Sequence, residues 1–294
     1  NRLLSRHRYD IVHAHLFPAN YYAATASLHF PHLSWVYTEH NVWNRRRQLS
    51  PLRMVETLVY SRFDRIVAVS ELVAANLKRW IPTVASRLHV IPNSVPVPKL
   101  EVNERAVDPD FSTILFAGRL ERAKGIDILL EAFANVAIPG KLLLAGEGSL
   151  RAVLEEQAVE LGIHNRVEFL GFRSDLQHLM AQADCVVLPS RWEGLPMVIL
   201  GAMALGTPVI ASTVGGIPEV IDDQVTGRLV PPEDPTSLTN ALVEVLSDKQ
   251  KLRAMGQKDP LAEWQREGFD MFSAMMAGVQ DNFVRYVSHL QVVA

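Results

Sequence analysis

Three charged side chains in the second half of the chain carry the most legible chemistry: Arg119, Lys124 and Glu193. Arg119 and Lys124 stand in Gly118-Arg119-Leu120-Glu121-Arg122-Ala123-Lys124-Gly125, directly after an apolar run that reads as a strand. An arginine fork and a lysine point charge, bracketed by glycines that let a backbone come close, suit a diphosphate. Glu193 precedes Gly194-Leu195-Pro196-Met197, between a second apolar run and a helical stretch. A helix start offers free N–H groups and partial positive charge to a phosphate. A carboxylate beside those donors would repel the phosphate, so it is better used accepting hydrogen bonds from sugar hydroxyls. Taken singly, the Arg119–Lys124 segment is more simply a charged surface turn, and Glu193 is equally well an ordinary helix-start acid. At two strand ends of one sheet they read together as a ligand site. Gly146-x-Gly148 is no dinucleotide fingerprint, because it lacks the third glycine and stands on a middle strand.

The first half is richer in histidine. His13 and His15 alternate along one strand and therefore share a face. Thr38-Glu39-His40-Asn41 closes the next strand, and Glu39 is a candidate acid or base. Arg45-Arg46-Arg47 reads first as a solvated basic loop and second as a contact for an anionic acceptor or for lipid headgroups.

These residues need elements to hold them, and strand-like runs alternate with helical patterns throughout, as in parallel sheets with crossover helices. Strands are predicted over 9–15, 33–38, 65–69 and 88–91 in the first half, and over 113–117, 141–145, 167–170, 185–188, 209–211 and 227–230 in the second. Helices fit 19–28, 50–61 and 71–80, with Ser70 as an N-cap, then 125–136, 150–161, 174–182, 197–205, 217–221 and 235–247. Pro196 suits the first helical turn, Gly206 the end of that helix, and Pro208 stops it. The stretch 95–110, with Pro96, Pro98 and Pro109, is the best linker.

We therefore expect an N-terminal domain over 1–105, a complete doubly wound domain over 106–264, and a helical segment over 265–294. The apolar stripe from Phe269 to Tyr286 should pack that segment back on the first domain. The first domain shows four strands and no glycine-rich strand-to-helix turn. The expectation is an N-terminally truncated domain, or one completed by a second polypeptide.

Composition bounds the partners. A 294-residue chain that is 48% hydrophobic supplies two cores, and a net charge of −3 argues against a nucleic-acid binder with a broad basic face. Cys185, the single cysteine, lies in an apolar run and reads as a buried small hydrophobe in a reducing compartment. No apolar run approaches membrane-spanning length.

Several motifs, in order, carry a specific resemblance: Gly-Arg-Leu-x-x-x-Lys-Gly at 118–125, Ala145-Gly146-Glu147-Gly148, Phe169-Leu170-Gly171-Phe172, the Glu193 loop, and Val214-Gly215-Gly216-Ile217-Pro218-Glu219. Together the second half resembles the group 1, retaining glycosyltransferases of GT-B fold. The resemblance implies an α/β protein of two facing Rossmann-like parallel-sheet domains. By it, Arg119 and Lys124 bind the donor diphosphate, and Glu193 holds sugar hydroxyls in a catalytic role. The backbone of Gly194, Leu195, Pro196 and Met197 cradles phosphate, and that around Phe172 and Arg173 lines the nucleobase slot. His40 resembles the family's active-site histidine, and it is expected to converge with the other three on a cleft between the domains.

One position breaks the pattern. The family places a second Glu eight residues after the first, on the helix, where it would hold ribose hydroxyls; here that position is Gly201. If residues 193 and 201 were both helical they would point within about 80° of each other, which places Gly201 on the nucleotide side.

The reaction implied is transfer of a hexose from a nucleoside-diphosphate sugar, with uridine as the family-frequent base, to a sugar or lipid-linked acceptor hydroxyl, with retention. No metal and no other cofactor are expected, because Arg119 and Lys124 would steady the departing diphosphate. The rival is a non-catalytic nucleotide-sugar-binding or partner-assembly relic of the fold; a nucleotide-sugar epimerase fits the motif spacing less well. The expected location is the cytoplasm, with peripheral contact at the inner membrane face.

Overall fold

The structure, a computed structural model, describes residues 4–5, 9–42, 45–95, 111–248 and 255. It divides into two compact units that meet in sequence at Asn93 and Ser94. The expected linker lies almost wholly outside the described residues, and so does the helical segment over 265–294.

In the first unit, β1 (Ile11–His15), β2 (Ser34–Glu39), β3 (Arg65–Ala68) and β4 (Leu88–Val90) form one parallel sheet in that order. The crossovers carry α1 (Ala19–Ser27), α2 (Ser50–Tyr60) and α3 (Glu71–Trp80). Ser70 caps α3 as expected, its hydroxyl accepting from the Val73 N–H at 3.2 Å. Trp35, Tyr37, Tyr60, Phe63, Ile66 and Leu77 fill the core. Parallel register sets His15 beside Thr38, so His40 follows at the same carboxyl edge.

The second unit is a single six-stranded parallel sheet. Its strands are β5 (Ser112–Ala117), β6 (Gly140–Ala145), β7 (Val167–Gly171), β8 (Cys185–Leu188), β9 (Val209–Ser212) and β10 (Arg228–Val230). Between and after them run α4 (Ile126–Ala134), α5 (Arg151–Glu160), α6 (Leu176–Gln182), α7 (Met197–Ala204), α8 (Ile217–Val220) and α9 (Pro235–Ser247). The order β10-β9-β8-β5-β6-β7 is the doubly wound arrangement, with its topological switch point between β5 and β8. These two strands pair only at Ile114↔Cys185 and Leu115↔Val186. Their last residues are unpaired, at the carboxyl-end position where doubly wound sheets form a ligand crevice.

Helix α7 is bounded by local chemistry. Gly206, at φ 65°, takes the left-handed position after the helix; its N–H reaches the Met203 carbonyl, and the Thr207 N–H reaches the Ala202 carbonyl at 2.8 Å. At the other end Pro196 is the N-cap and not the first helical residue, and Glu193 lies three residues earlier still, in the loop. The helical-wheel relation between residues 193 and 201 therefore does not apply. A Cβ at Gly201 would point at Met180 on α6, 3.6 Å from its sulfur.

The strand-end loops lie backbone against backbone. A Cβ at Gly146 would stand 1.9 Å from the Gly118 carbonyl oxygen, with φ at +144°. Gly162 also has positive φ, +69°, but nothing within 4 Å of an added Cβ. Replacing each by Ala should separate conformational strain from collision. Gly162→Ala should cost about 1 kcal/mol, and Gly146→Ala at least about 3 kcal/mol, by urea or thermal unfolding. Equal losses would show that the close approach of the β5 and β6 loops is dispensable.

Candidate active site

Lys124 and Glu193 come from opposite sides of the switch point and meet above it. Lys124 ends the short helical turn after β5, and Glu193 sits in the loop after β8. The lysine Nζ lies 2.5 Å from Glu193 Oε1, and the same oxygen accepts from the Ser190 hydroxyl at 2.8 Å. Both charged groups are mostly covered, at 19% and 11% exposure. Gly125 makes this possible: it is left-handed, at φ +64°, and a Cβ there would strike the Pro189 carbonyl oxygen at 2.1 Å. Gly215, after β9, lies equally close to the Glu193 carbonyl, and the Gly216 N–H donates to the Gly194 carbonyl at 2.6 Å. The loops after β5, β8 and β9 thus form one packed layer.

The other expected donor-side residues are distributed along this layer. Arg119 is exposed, and among the described residues it makes no ion pair. Gly194 and Leu195 are buried, Leu195 with its side chain in the core, while Met197 is half exposed at the head of α7. No side chain caps α7, although the Ile199 N–H turns back to the Pro196 carbonyl at 3.2 Å. Phe172 is 82% exposed beyond β7, and Arg173 forks onto Asp175 at 2.8 and 2.6 Å. Ser190 and Arg191 went unnoticed in the sequence, although both lie in the Glu193 loop.

In the first unit the three histidines do assemble. His15 Nδ1 lies 3.1 Å from His40 Nε2, and the His13 ring stacks 4.1 Å from that of His15. His13 Nε2 is 2.7 Å from the Thr38 hydroxyl. Burial, with the charges of His15 and His40, pushes His13 down to about 3. Burial and then His15 push His40 down to about 4, and burial lowers His15. The rings are therefore neutral at neutral pH, ready to accept or relay a hydrogen bond. A cavity of about 650 Å³ flanks β1, lined by His13 and His15 with Val12, Tyr22 and Trp35.

Two sequence readings change here. Glu39 is 2% exposed and fully engaged, accepting from the Tyr60 hydroxyl at 2.7 Å, from Arg47 Nη2 at 2.5 Å and from the Asn41 N–H at 3.1 Å. With its acceptors committed, it is a structural anchor for the 39–41 turn and not a candidate acid or base. Within the basic run, Arg46 and Arg47 are correspondingly not solvated. Arg47 pairs with Glu39, while Arg46 pairs with the buried Glu56 at 3.0 Å and covers the Phe17 ring at 3.8 Å.

With these arrangements in view, comparison with known proteins gives a consistent answer. Residues 100–260 match the family described as Glycosyl transferases group 1, and residues 1–98 that described as Glycosyltransferase Family 4. The SecA Wing and Scaffold domain also matches, over 241–291, a stretch mostly outside the described residues. An uncharacterized glycosyltransferase of Methanocaldococcus jannaschii is 30% identical, over 84% of this chain and 68% of that protein. The D-inositol 3-phosphate glycosyltransferase of Segniliparus rotundus is 33% identical over 66% of this chain, which spans about half of that relative's length (47%). The crystal structure of HepE from Anabaena, in complex with UDP and glucose, is 25% identical with a TM-score of 0.81, covering 98% of this chain and 80% of that one.

An α/β protein with a charged crevice at a doubly wound switch point is what both sequence and structure define. The chain belongs to the group 1 glycosyltransferases and has a GT-B-like α/β fold; it is an enzyme of the sugar-transferring class.

The histidine cluster makes a pH prediction. His13 and His40 stay unprotonated in the fold down to about pH 3 and about pH 4, and His15 is shifted the same way, whereas the unfolded chain takes up those protons below about 6.5. The unfolded state then binds more protons, so stability falls as pH falls from about 6.5 toward 4. His13→Asn should flatten that slope in pH-dependent urea unfolding. An unchanged slope would remove His13 as its source.

Proposed function

We propose that the protein transfers a hexose from a UDP-sugar to an acceptor hydroxyl with retention at the anomeric carbon, without a metal ion. The observation that carries this reading is the Lys124–Glu193 pair across the β5/β8 switch point, where doubly wound proteins bind ligands. A diphosphate entering there competes with Glu193 for Lys124. The ammonium turns to the phosphate, and the freed carboxylate faces the sugar hydroxyls. Arg119, exposed on the same loop, adds a second cation, and the uncapped start of α7 adds N–H donors. Charge built up on the leaving diphosphate is thereby stabilised without a metal. The chain does contain one Asp-x-Asp triplet, Asp108-Pro109-Asp110, so metal independence rests on these cations. His40, neutral at neutral pH, is assigned to the transfer step, where it accepts a hydrogen bond without adding charge.

UDP is favoured because HepE of Anabaena was crystallised with UDP and glucose. A sugar or lipid-linked acceptor is proposed. A cytoplasmic location is proposed too; no helix among the described residues is long and apolar enough to cross a membrane. Headgroup contact through the arginine run loses its support, since Arg46 and Arg47 are spent inside the unit.

Gly201 favours a second reading, a binding protein without turnover. The decisive assay follows UDP-glucose by NMR in the presence of a chelator: α-glucose or an α-linked product supports the enzyme. A β-configured product or dependence on metal contradicts the proposed chemistry, and UDP binding without turnover supports the second reading.

Two variants test the roles. Lys124→Ala should weaken UDP binding and turnover together, while His40→Ala should spare UDP binding and depress turnover; equal binding losses would contradict the division. Gly201→Glu has room beside the flexible Met180 side chain and should tighten UDP binding by about ten- to hundredfold, the worth of hydrogen bonds to a charged group. Weaker binding would mean that Gly201 is adapted to its present neighbour.

A further inference from the structure

Arg191 is the most heavily committed side chain near the crevice. Its Nη1 and Nη2 reach the two carboxylate oxygens of Asp127 at 2.8 and 2.7 Å, its Nε reaches Glu233 at 2.9 Å, and Nη1 also donates to the Arg122 carbonyl at 2.9 Å. Four of its five N–H donors are thus used, and the side chain is only 13% exposed. The backbone joins in, the Arg191 N–H donating to the Ala123 carbonyl at 2.8 Å. Three loops are tied at this point: Arg122 to Asp127 after β5, Arg191 after β8, and Glu233 after β10. Glu233 is held at φ +57°, a conformation that a non-glycine residue adopts only when its surroundings impose it.

The tie is placed where it matters for the ligand. Ala123 is the neighbour of Lys124, and Arg191 stands two residues before Glu193. The donors being spent, Arg191 has little left with which to bind a phosphate itself. We propose that Arg191 is a positioning residue for the donor diphosphate. By clamping Asp127 and the Arg122–Ala123 backbone to the β8 loop, it fixes the separation across the switch point at which Lys124 and Glu193 meet. This rests on the donor-site reading given above. Asp127 is held below the usual carboxylate range, burial working against this and the Arg191 hydrogen bonds and charge prevailing. The clamp therefore stays charged on both sides through the neutral range. A lysine could not replace it, because a point charge cannot grip a carboxylate in two places and a carbonyl in a third.

The test uses the full chain and calorimetry with two probes, UDP and uridine. Arg191→Lys keeps the charge and the stem; Asp127→Asn keeps the shape. Each should raise the UDP Kd by about tenfold while uridine affinity stays within about twofold, because only the diphosphate feels the misplaced Lys124. The double variant should be no weaker than about tenfold, since both changes remove one interaction. If Asp127→Asn fails to fold, Glu233→Gln, which alters an outer and 64% exposed partner, should show the same selective loss at about two- to threefold. Equal loss of UDP and uridine, unchanged UDP binding, or additive losses near a hundredfold would each overturn the positioning role. If the unaltered chain binds no UDP, the donor reading itself falls first.

Discussion

A single ion pair between Lys124 and Glu193 joins the strand-end loops of the second unit. It lies above the one place in the second sheet where the winding reverses and neighbouring strands part. Two opposite charges held this close and mostly shielded from water attract strongly, but each is desolvated and each has lost freedom. On the proposed reading such a pair is suited to exchange, because an incoming diphosphate would offer the lysine a better partner and sugar hydroxyls would offer the glutamate several. Backbone packing, Gly125 against Pro189 and Gly215 against Glu193, surrounds the pair, and the proposed Arg191 side-chain clamp lies beside it.

The first unit solves a different problem. Glu39 is buried, and its charge is met by Arg47, the Tyr60 hydroxyl and the Asn41 N–H. That network secures the turn carrying His40. The histidines beside it are partly desolvated and crowd one another, which favours their uncharged forms. The result is a neutral polar cluster in one unit and a mostly covered ion pair at the switch point of the other.

Much of this was legible in the sequence. Strands and helices followed from apolar runs and their punctuation: Cys185–Leu188 and Pro235–Ser247 match their predicted bounds, as does the Ser70 cap. Local rules suffice for such elements. The joint placement of Lys124 and Glu193 was also readable, because both follow strands of a doubly wound sheet. Long-range partners were not. Glu39 with its adjacent histidine looks like an acid or base until Tyr60 and Arg47 are seen to consume it, and Arg45-Arg46-Arg47 looks solvated until Glu56 appears opposite. A sequence shows which residues carry charge but not which of them face each other across the fold. The signal for Arg191 was present, an arginine in the Glu193 loop and an Asp two residues after Gly125, yet only the folded geometry joins them. One argument for Gly201 does not carry over, for a local reason: the helix begins after Glu193, so no helical phase links the two, and the ribose position rests on the resemblance alone.

A crystal structure of the protein with UDP-glucose bound would test the central claim most directly. The account predicts the diphosphate in the β5/β8 crevice within hydrogen-bond distance of Lys124 Nζ, the Lys124–Glu193 separation opened beyond about 4 Å, and Glu193 facing the sugar hydroxyls. A diphosphate bound elsewhere on the chain, or bound with the Lys124–Glu193 pair intact and untouched, would contradict it.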